Sequence, residues 1–286
     1  MSDLRALVAA ELNLPVDPRV SAVAAAIAQK HGAASCAVLF YGSCLRERQL
    51  AGLMLDFYLI VSDYRSAYEK RWLAAANRLI PPNVFYFEHD GLVAKYAVLS
   101  ASDFARLAGP ETRNVSVWAR FSQPSRLVWV SSVEARELAI DAVARAAPTL
   151  LAAAGASSSE EPLVLWRRAF ALTYGAELRA ERKVRASSVV ELDPERYLRF
   201  TGPALGAARS LQPGGSWNRR RIEGKALSVL RLAKASLTFA GGADYIAWKI
   251  NRHAGTDIQL KPWQRRHPLL AGLSLLPRLL KSGAVR

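Results

Sequence analysis

The sequence predicts an α/β fold with a mixed sheet, followed by a mainly helical second part. Two apolar runs, residues 38–41 and 54–61, have the length and composition of buried strands. Two further β-rich runs, residues 83–88 and 92–99, are separated by a turn that contains Asp-Gly at 90–91. Asp-Gly between such runs is a strong hairpin signal, so these two strands are expected to pair.

Helical patterns precede and separate these strands. Residues 2–12 and 19–32 have amphipathic helical spacing, and residues 66–79 are helical up to Pro81-Pro82. The remaining predicted elements, in order, are a short helix at 102–108, a turn at 123–124 before a strand-like RLVWV, and helices at 134–154, 163–183, 193–200, 219–239 and 244–253. The stretch GASSSEE at 155–161 is predicted to be an exposed loop.

Composition limits the classes of function. The 286 residues are 51% hydrophobic and 22% charged, which suits a globular chain with a sizeable core. The net charge of +15 favours an anionic partner, either nucleic acid, polyphosphate or an anionic membrane surface. No apolar stretch reaches the ~18 residues that a transmembrane helix needs, so membrane contact is expected at the surface only. Two cysteines make neither a disulfide framework nor a zinc site, which favours a reducing, cytoplasmic location.

The end of the first apolar run carries the strongest chemical signal. Gly42-Ser43 follows this strand directly, and glycine lets the backbone approach a ligand closely. Ser43 is expected to begin a helix, whose free N–H groups would suit a phosphate. Asp56 is a carboxylate inside the second apolar run, where an unpaired charge is costly and a metal ion would offset that cost. The alternative is a buried Asp56 that backbone N–H groups satisfy.

This strand, Gly-Ser turn and strand-borne aspartate resemble the signature of the DNA-polymerase-β-type nucleotidyltransferase superfamily. Within it, the motifs YGSC at 41–44 and LDFYLIV at 55–61 are similar to those of the mitochondrial-type CDP-diacylglycerol synthases. These enzymes are also called phosphatidate cytidylyltransferases, or translocator assembly and maintenance proteins. The family also has a single aspartate in this strand, so Tyr58 stands where other superfamily members have a second carboxylate. Cys44 replaces the family's second glycine.

Three later segments extend the resemblance in the same order along the chain. Residues 95–100 read KYAVLS, residues 117–124 read VWARFSQP, and residues 172–184 read LTYGAELRAERKV. Each is similar to a motif of the family, although Glu177 takes the place of an aspartate. The segment after Leu211 matches the family poorly.

The resemblance implies a fold, a reaction and a site. It implies a polymerase-β-like nucleotidyltransferase domain that transfers CMP from CTP to phosphatidate, releases pyrophosphate, depends on Mg²⁺ and belongs to phospholipid biosynthesis. The implied catalytic residues are Asp56, Glu177 and Lys95, with Asp56 and Glu177 as metal ligands; the implied substrate-binding residues are Tyr41, Gly42, Ser43, Arg120, Arg179 and Lys183.

Several of these residues also have a purely structural interpretation. Glu177 and Glu181 share one face of the helix predicted at 163–183, and such charges are often a solvated, salt-bridged surface. Lys95 could face solvent from an open sheet face, and Arg120 has the same ambiguity.

We expect a nucleotidyltransferase domain at 1–132, a helical domain at 133–212 and a basic, apolar extension at 213–286. The extension combines cations, tryptophans and leucines as interfacial segments do, so we expect a peripheral protein on the cytoplasmic, inner face of an anionic membrane. The alternative is a helix packed on the body with a solvated basic face. Two other functions stay open: a nucleotidyltransferase acting on RNA or another anionic acceptor, and a degenerate nucleotidyltransferase acting as a basic membrane adaptor.

Overall fold

Among the residues described by the computed structural model, five strands form one mixed sheet. These residues are 2–46, 50, 53–178, 189–238, 251 and 259–266. The strands are β1 (Ser35–Tyr41), β2 (Met54–Val61), β3 (Asn83–His89), β4 (Leu92–Ser100) and β5 (Ser125–Val130), in the spatial order β3-β4-β2-β1-β5. Strands β2 and β4 are parallel, and all other neighbours are antiparallel. The predicted mixed sheet is therefore confirmed.

Helices cover both faces of this sheet. They are α1 (Ser2–Leu12), α2 (Pro18–Lys30), α3 (Tyr64–Ala67), α4 (Arg71–Leu79), α5 (Ala101–Ala108), α6 (Ser116–Phe121), α7 (Val133–Ala144), α8 (Ala146–Ala153), α9 (Pro162–Ala176), α10 (Pro194–Ala208), α11 (Trp217–Thr238) and α12 (Pro262–Arg266). Within the described part of the chain, none of them is long and apolar enough to cross a membrane.

The predicted hairpin joins β3 and β4. His89 pairs with Leu92, which leaves Asp90 and Gly91 as a two-residue turn. Both turn residues have positive φ, 47° and 74°, as a tight hairpin turn requires. The hairpin puts β4 between β3 and β2, so Lys95 of β4 comes beside Asp56 of β2.

The alternation of side chains along β2 separates two cores. Leu55, Phe57 and Leu59 point to the face covered by α2, α3 and α4. Tyr58 and Ile60 point to the other face, where one buried cluster continues from the sheet through α5 to α10. The two domains predicted at 1–132 and 133–212 therefore share this second core.

Helix α11 packs across α9 and β3. Gly224 lies against the end of α9, and a Cβ at this position would collide with the carbonyl oxygen of Ala176. Only glycine permits this close approach. Arg220 and Lys234 are buried on the inner face of α11, whereas Arg219, Arg221 and Lys225 are exposed. The dense positive charge of this helix is therefore divided between an inner and an outer face.

Five predicted helices differ from the observed ones: the helix predicted at 193–200 continues to Ala208, and the other four differ as follows. The helix expected after Ser43 is a 3-10 helix, Ser43–Arg46, in the described residues. The helix predicted at 66–79 is broken into α3 and α4, because Tyr68 is extended and its ring packs against His31 and Phe85. The one predicted at 134–154 is divided at Arg145 into α7 and α8. The helix predicted at 244–253 lies, except for residue 251, outside the described residues.

The helix predicted at 163–183 ends at Ala176. Glu177 has extended backbone angles, φ −119° and ψ 155°, and the N–H of Leu178 donates to Ser228 Oγ on α11. The approach of α11 at Gly224 thus coincides with the end of α9. Glu177 therefore lies outside α9, and Glu181, with which it was expected to share a helix face, lies outside the described residues.

Candidate functional site

The candidate site is a row of three side chains across the middle of the sheet. Tyr41 of β1 pairs with Asp56 of β2, and Asp56 pairs with Lys95 of β4. Paired residues on neighbouring strands project to the same face. This row lies near the start of β2 and at the last residue of β1, so it borders the Gly42 turn.

An ion pair joins two of the three residues. Lys95 Nζ lies 2.7 Å from Asp56 Oδ1, and the two side chains are 25% and 20% exposed. The carboxylate is thus neither fully buried nor free in solvent. Lys95 is thus partly exposed to solvent, and its ammonium group contacts Asp56.

Gly42 brings the backbone turn against the same carboxylate. Its φ is +95°, and a Cβ at this position would lie 3.1 Å from Asp56 Oδ2. The left-handed conformation favours glycine, and a Cβ here would be in tight contact with the Asp56 carboxylate. Ser43 is exposed directly after Gly42. The Gly-Ser turn and Asp56, which are 13 positions or more apart in sequence, therefore meet at one edge of the site.

Arg120 lies beside this row, at the end of α6. Its guanidinium carbon is 4.7 Å from the centre of the Tyr41 ring, a cation–π arrangement. It also hydrogen-bonds to Tyr58, which lies two residues after Asp56 on the same face of β2. Although burial by itself lowers it, the pKa of Arg120 is raised, because Tyr41, Tyr58, Glu177 and Asp56 all favour the charged form. Arg120 is therefore a permanent cation within the site.

The two tyrosines are held as neutral phenols. Burial raises the pKa of Tyr41 well above its ordinary value, and the negative charge of Asp56 adds to this effect. Burial likewise raises the pKa of Tyr58, against the opposing influence of Arg120. Neither hydroxyl can act as an anionic base near neutral pH, so both are limited to hydrogen bonding and packing.

Glu177 reaches this cluster from the end of α9. Its charge acts on Tyr58, Arg120 and Arg231. The structure thus places Glu177 near the predicted substrate-binding Arg120. Arg179 and Lys183, the other two residues predicted from this segment, lie outside the described residues.

Arg231 of α11 is a site residue that the sequence analysis missed. Its Nε donates to Pro81 O at 2.8 Å, and its Nη1 donates to Ser116 Oγ at 3.0 Å. Burial lowers the pKa of Arg231, and Glu177 and Tyr58 act in the opposite sense. The sequence pattern that could have identified Arg231 is the recurrence of Arg220, Gly224, Arg231 and Lys234 at helical spacing on one face. Cations at that spacing usually indicate a solvated face, so the pattern does not single out Arg231.

The donor set around Asp56 fits a magnesium ion bound together with a substrate. The described residues contain no group of three or more His, Cys, Asp and Glu side chains that could hold a metal. Mg²⁺ is often held by one or two carboxylates plus substrate phosphates and water. Asp56, partly exposed beside the Gly42 turn, can supply one such carboxylate.

Comparisons with known proteins add no assignment. No protein-family model matches the chain, and no curated protein is significantly similar to it. The functional interpretation consequently depends on the residues of the site and on their geometry.

Proposed function

We propose that this chain is a polymerase-β-like, Mg²⁺-dependent nucleotidyltransferase that transfers CMP from CTP to phosphatidate. The observation that carries the proposal is the meeting of the Gly42-Ser43 turn with the Asp56 carboxylate, at 3.1 Å from a Cβ placed on Gly42. A turn that presents backbone N–H groups suits a phosphate chain, and an adjacent carboxylate suits the cation that accompanies it.

In the proposed reaction, an oxygen of the phosphatidate phosphate attacks the α-phosphorus of CTP. The new P–O bond gives CDP-diacylglycerol, and the bond between the α-phosphorus and the bridging oxygen breaks, so pyrophosphate leaves with its electron pair. Positioning and charge neutralisation supply most of the catalysis in such transfers. When bound, Mg²⁺ would supply charge neutralisation at the phosphate oxygens.

Each residue of the row has a distinct role in this proposal. The Gly42 turn and the Ser43 hydroxyl would hold the triphosphate, and Asp56 would hold the magnesium ion together with the nucleotide. Lys95, 2.7 Å from Asp56, keeps a second positive charge at the reacting phosphates. Tyr41 fixes the position of Arg120 through its ring, and Arg120 contributes a fixed positive charge for the phosphates.

Glu177, Arg179 and Lys183 are proposed members of the same site. The charge of Glu177 acts on Arg120, so this residue is suited to orienting the guanidinium or to completing the metal's ligands. Arg179 and Lys183 follow within six residues in the sequence and are proposed phosphate binders.

A lipid acceptor requires contact with a membrane surface, and the outer face of α11 supports such contact. Ile222 is 72% exposed, and Leu230 and Val229 are about half exposed on the same helix. Arg219 and Lys225 are exposed beside them. Exposed apolar side chains next to cations suit the headgroup region of an anionic bilayer. We therefore propose peripheral binding at the cytoplasmic, inner face of the membrane.

The test is a product assay on the purified full chain. Protein given CTP, Mg²⁺ and vesicles containing phosphatidate should release pyrophosphate and form CDP-diacylglycerol, and either substrate alone should give neither product. Parallel reactions contain RNA in place of phosphatidate, because the positive charge of the chain would suit that acceptor too. Folded, vesicle-bound protein that releases no pyrophosphate would contradict the proposal, and CMP addition to RNA alone would replace it with the RNA-directed function.

A further inference from the structure

Arg231 is a partly buried arginine whose hydrogen-bonding capacity is only partly used. Its Nε and Nη1 atoms donate to Pro81 O and Ser116 Oγ, but its Nη2 atom is buried and has no hydrogen-bond partner. A buried donor without a partner is costly, and most buried polar groups in proteins are satisfied. Packing of α11 on the body therefore does not account for the whole side chain.

Arg196 and Arg220, the arginines that are almost fully buried in the described chain, use both terminal nitrogens, although the Nε of Arg220 has no partner. Arg196 donates through Nη2 to Glu11 and through Nη1 to Ser122 O. Arg220 donates through Nη1 to Arg113 O and through Nη2 to Gly214 O. These two arginines act as clamps between segments. Arg231 differs from both because one terminal nitrogen, which carries two protons, is left over.

Arg231 has charged groups of both signs within interaction range. Burial lowers its pKa most, the carboxylate of Glu177 opposes this effect, and the positive charge of Arg120 lowers the pKa further. Arg120 and Arg231 are therefore two guanidinium groups that interact with each other and with one carboxylate. Among the described residues of the site, Lys95, Arg120 and Arg231 carry positive charge against two carboxylates, Asp56 and Glu177. Like charges at this proximity repel one another unless an anion neutralises them.

We propose that Arg231 and Arg120, with the Tyr58 hydroxyl, form a subsite for a phosphate group. Two guanidinium groups offer planar, paired donors that match phosphate oxygens, and a phosphate would satisfy the remaining Nη2 donor of Arg231. Tyr58 can donate its hydroxyl proton to the same anion, because it is neutral and already accepts a hydrogen bond from Arg120. Phosphate binding by this subsite does not depend on the proposed reaction, whereas a role of the subsite in catalysis rests on the proposed function.

The position of the subsite suits a phosphate other than the one at Gly42. Tyr58 lies two residues beyond Asp56 along β2, a separation of about 7 Å for extended backbone. Gly42 contacts Asp56 from the end of the neighbouring strand. Two anion sites separated in this way match a reaction between two phosphate-bearing substrates, whose attacking and leaving oxygens must lie on opposite sides of the reacting phosphorus. The phosphate can come from the acceptor or from the nucleotide.

The experiment measures binding and therefore needs no turnover. The full chain and its variants are titrated calorimetrically with a short-chain, water-soluble phosphatidate, with CTP in the presence of Mg²⁺, and with the matching uncharged diacylglycerol. The test variant is Arg231→Gln. The matched control is Arg221→Gln, which makes the same change in charge on the exposed face of the same helix. A second control, Ser116→Ala, removes one contact of Arg231 without removing its charge.

We expect Arg231→Gln to weaken binding of one phosphate ligand by about tenfold to a hundredfold, the scale of one charge-assisted hydrogen bond. Arg231→Lys should recover part of this loss, because it keeps the charge but not the paired donors. Both controls and diacylglycerol binding should change little. A loss confined to phosphatidate assigns the subsite to the acceptor, and a loss confined to CTP assigns it to the nucleotide.

Two results would overturn the subsite. Folded Arg231→Gln protein with unchanged affinity for both phosphate ligands would leave Arg231 as a structural clamp. If Arg231→Gln unfolds, Tyr58→Phe removes the phenolic donor at a position that tolerates an aromatic ring, and unchanged affinity in that variant as well as in Arg231→Lys would be equally decisive. Arg231-dependent binding of phosphatidate without pyrophosphate release would contradict the proposed reaction while leaving the subsite in place.

Discussion

Two ion pairs of the molecule differ in how far water reaches them. Arg196 of α10 and Glu11 of α1 are 3% and 11% exposed, whereas Lys95 and Asp56 are 25% and 20% exposed. Arg196 also donates to Ser122 O at 2.9 Å, and its guanidinium lies 4.3 Å from the centre of the Phe200 ring. The first pair is enclosed and joins three segments, while the second borders a glycine turn.

The difference separates a structural pair from a pair available to a ligand. Removing one partner of an enclosed pair leaves an uncompensated charge in a medium that solvates it poorly. In a partly exposed pair, one partner can be exchanged at lower cost, because water and incoming ions compete for the carboxylate. The Asp56–Lys95 pair can therefore open, so that Asp56 binds a cation or Lys95 binds a phosphate. The Glu11–Arg196 pair cannot open without loosening the contact between α1 and α10.

The largest expected effect comes from breaking the enclosed pair. Arg196→Met should lower the free energy of unfolding by about 3–5 kcal/mol, because Glu11 would remain buried without its partner. Urea unfolding followed by circular dichroism measures this loss. The control Arg19→Met breaks a pair that is 58% and 31% exposed, and it should cost about 1 kcal/mol or less.

A compensating change sharpens this result. If the loss in Arg196→Met comes from the stranded carboxylate, the double variant Glu11→Leu with Arg196→Met should recover most of the stability. No recovery would mean that the hydrogen bond to Ser122 O and the packing on Phe200, rather than the charge of Glu11, carry the effect.

A smaller effect is expected where α11 meets the end of α9. Gly224→Ala introduces a Cβ that collides with the carbonyl oxygen of Ala176, and such overpacking costs about 1–3 kcal/mol. Alanine's better helix propensity offsets about 1 kcal/mol of that cost. Because the collision displaces α11, phosphate binding through Arg231 should also weaken. Gly202→Ala, in α10 with open space around it, is the matched control.

Lys234 should make the stability of the protein depend on pH. Burial, helped by Arg231, lowers the pKa of Lys234 to about 7, from an ordinary value of 10.5. Between these two values the unfolded chain binds the proton and the folded chain does not, so the contribution of Lys234 to stability rises as pH increases above about 7. Lys234→Met should therefore flatten the rise in unfolding free energy between pH 7 and 9. An unchanged slope would mean that Lys234 remains protonated while it donates to Pro82 O.

The smallest expected change in stability comes from breaking the site pair. Lys95→Met should lower the free energy of unfolding by about 1 kcal/mol or less, because water reaches Asp56. Replacement by methionine should thus cost much more stability at Arg196 than at Lys95, when both variants are unfolded under the same urea conditions. A loss of about 3 kcal/mol or more at Lys95 would place this pair in the same structural class as Arg196 and Glu11.

The parts of the fold that depend on local pattern could be predicted from the sequence. The apolar run 54–61 is β2, and the Asp-Gly signal at 90–91 is the turn between β3 and β4. These elements put Lys95 beside Asp56 and leave Gly42 at the end of β1. The core of the candidate site was therefore within reach of sequence reasoning, since two neighbouring strands and one turn hold it.

The parts that depend on contacts between distant segments could not be predicted. Arg231 belongs to a helix that is basic on both faces, so periodicity alone does not tell which cations turn inward. The end of α9 at Ala176 coincides with the approach of α11, about 50 residues later in the sequence, and helix propensity carries no information about that contact. Glu177 was consequently identified as a site candidate, but it was predicted to lie within a helix, whereas it lies in extended backbone after the end of α9.

The most direct test of the central claim compares label transfer by the wild-type chain and by Asp56→Asn. CTP labelled at its α-phosphate is incubated with Mg²⁺, phosphatidate vesicles and protein, and the label recovered in lipid is measured. Asp90→Asn makes the same change in charge at the exposed hairpin turn and serves as the control. We expect label in the lipid with wild type and Asp90→Asn, and about a hundredfold less with folded Asp56→Asn, the scale of losing one strong electrostatic contact in a site. Equal transfer by Asp56→Asn and wild type would make Asp56 a structural carboxylate and would contradict the proposed site.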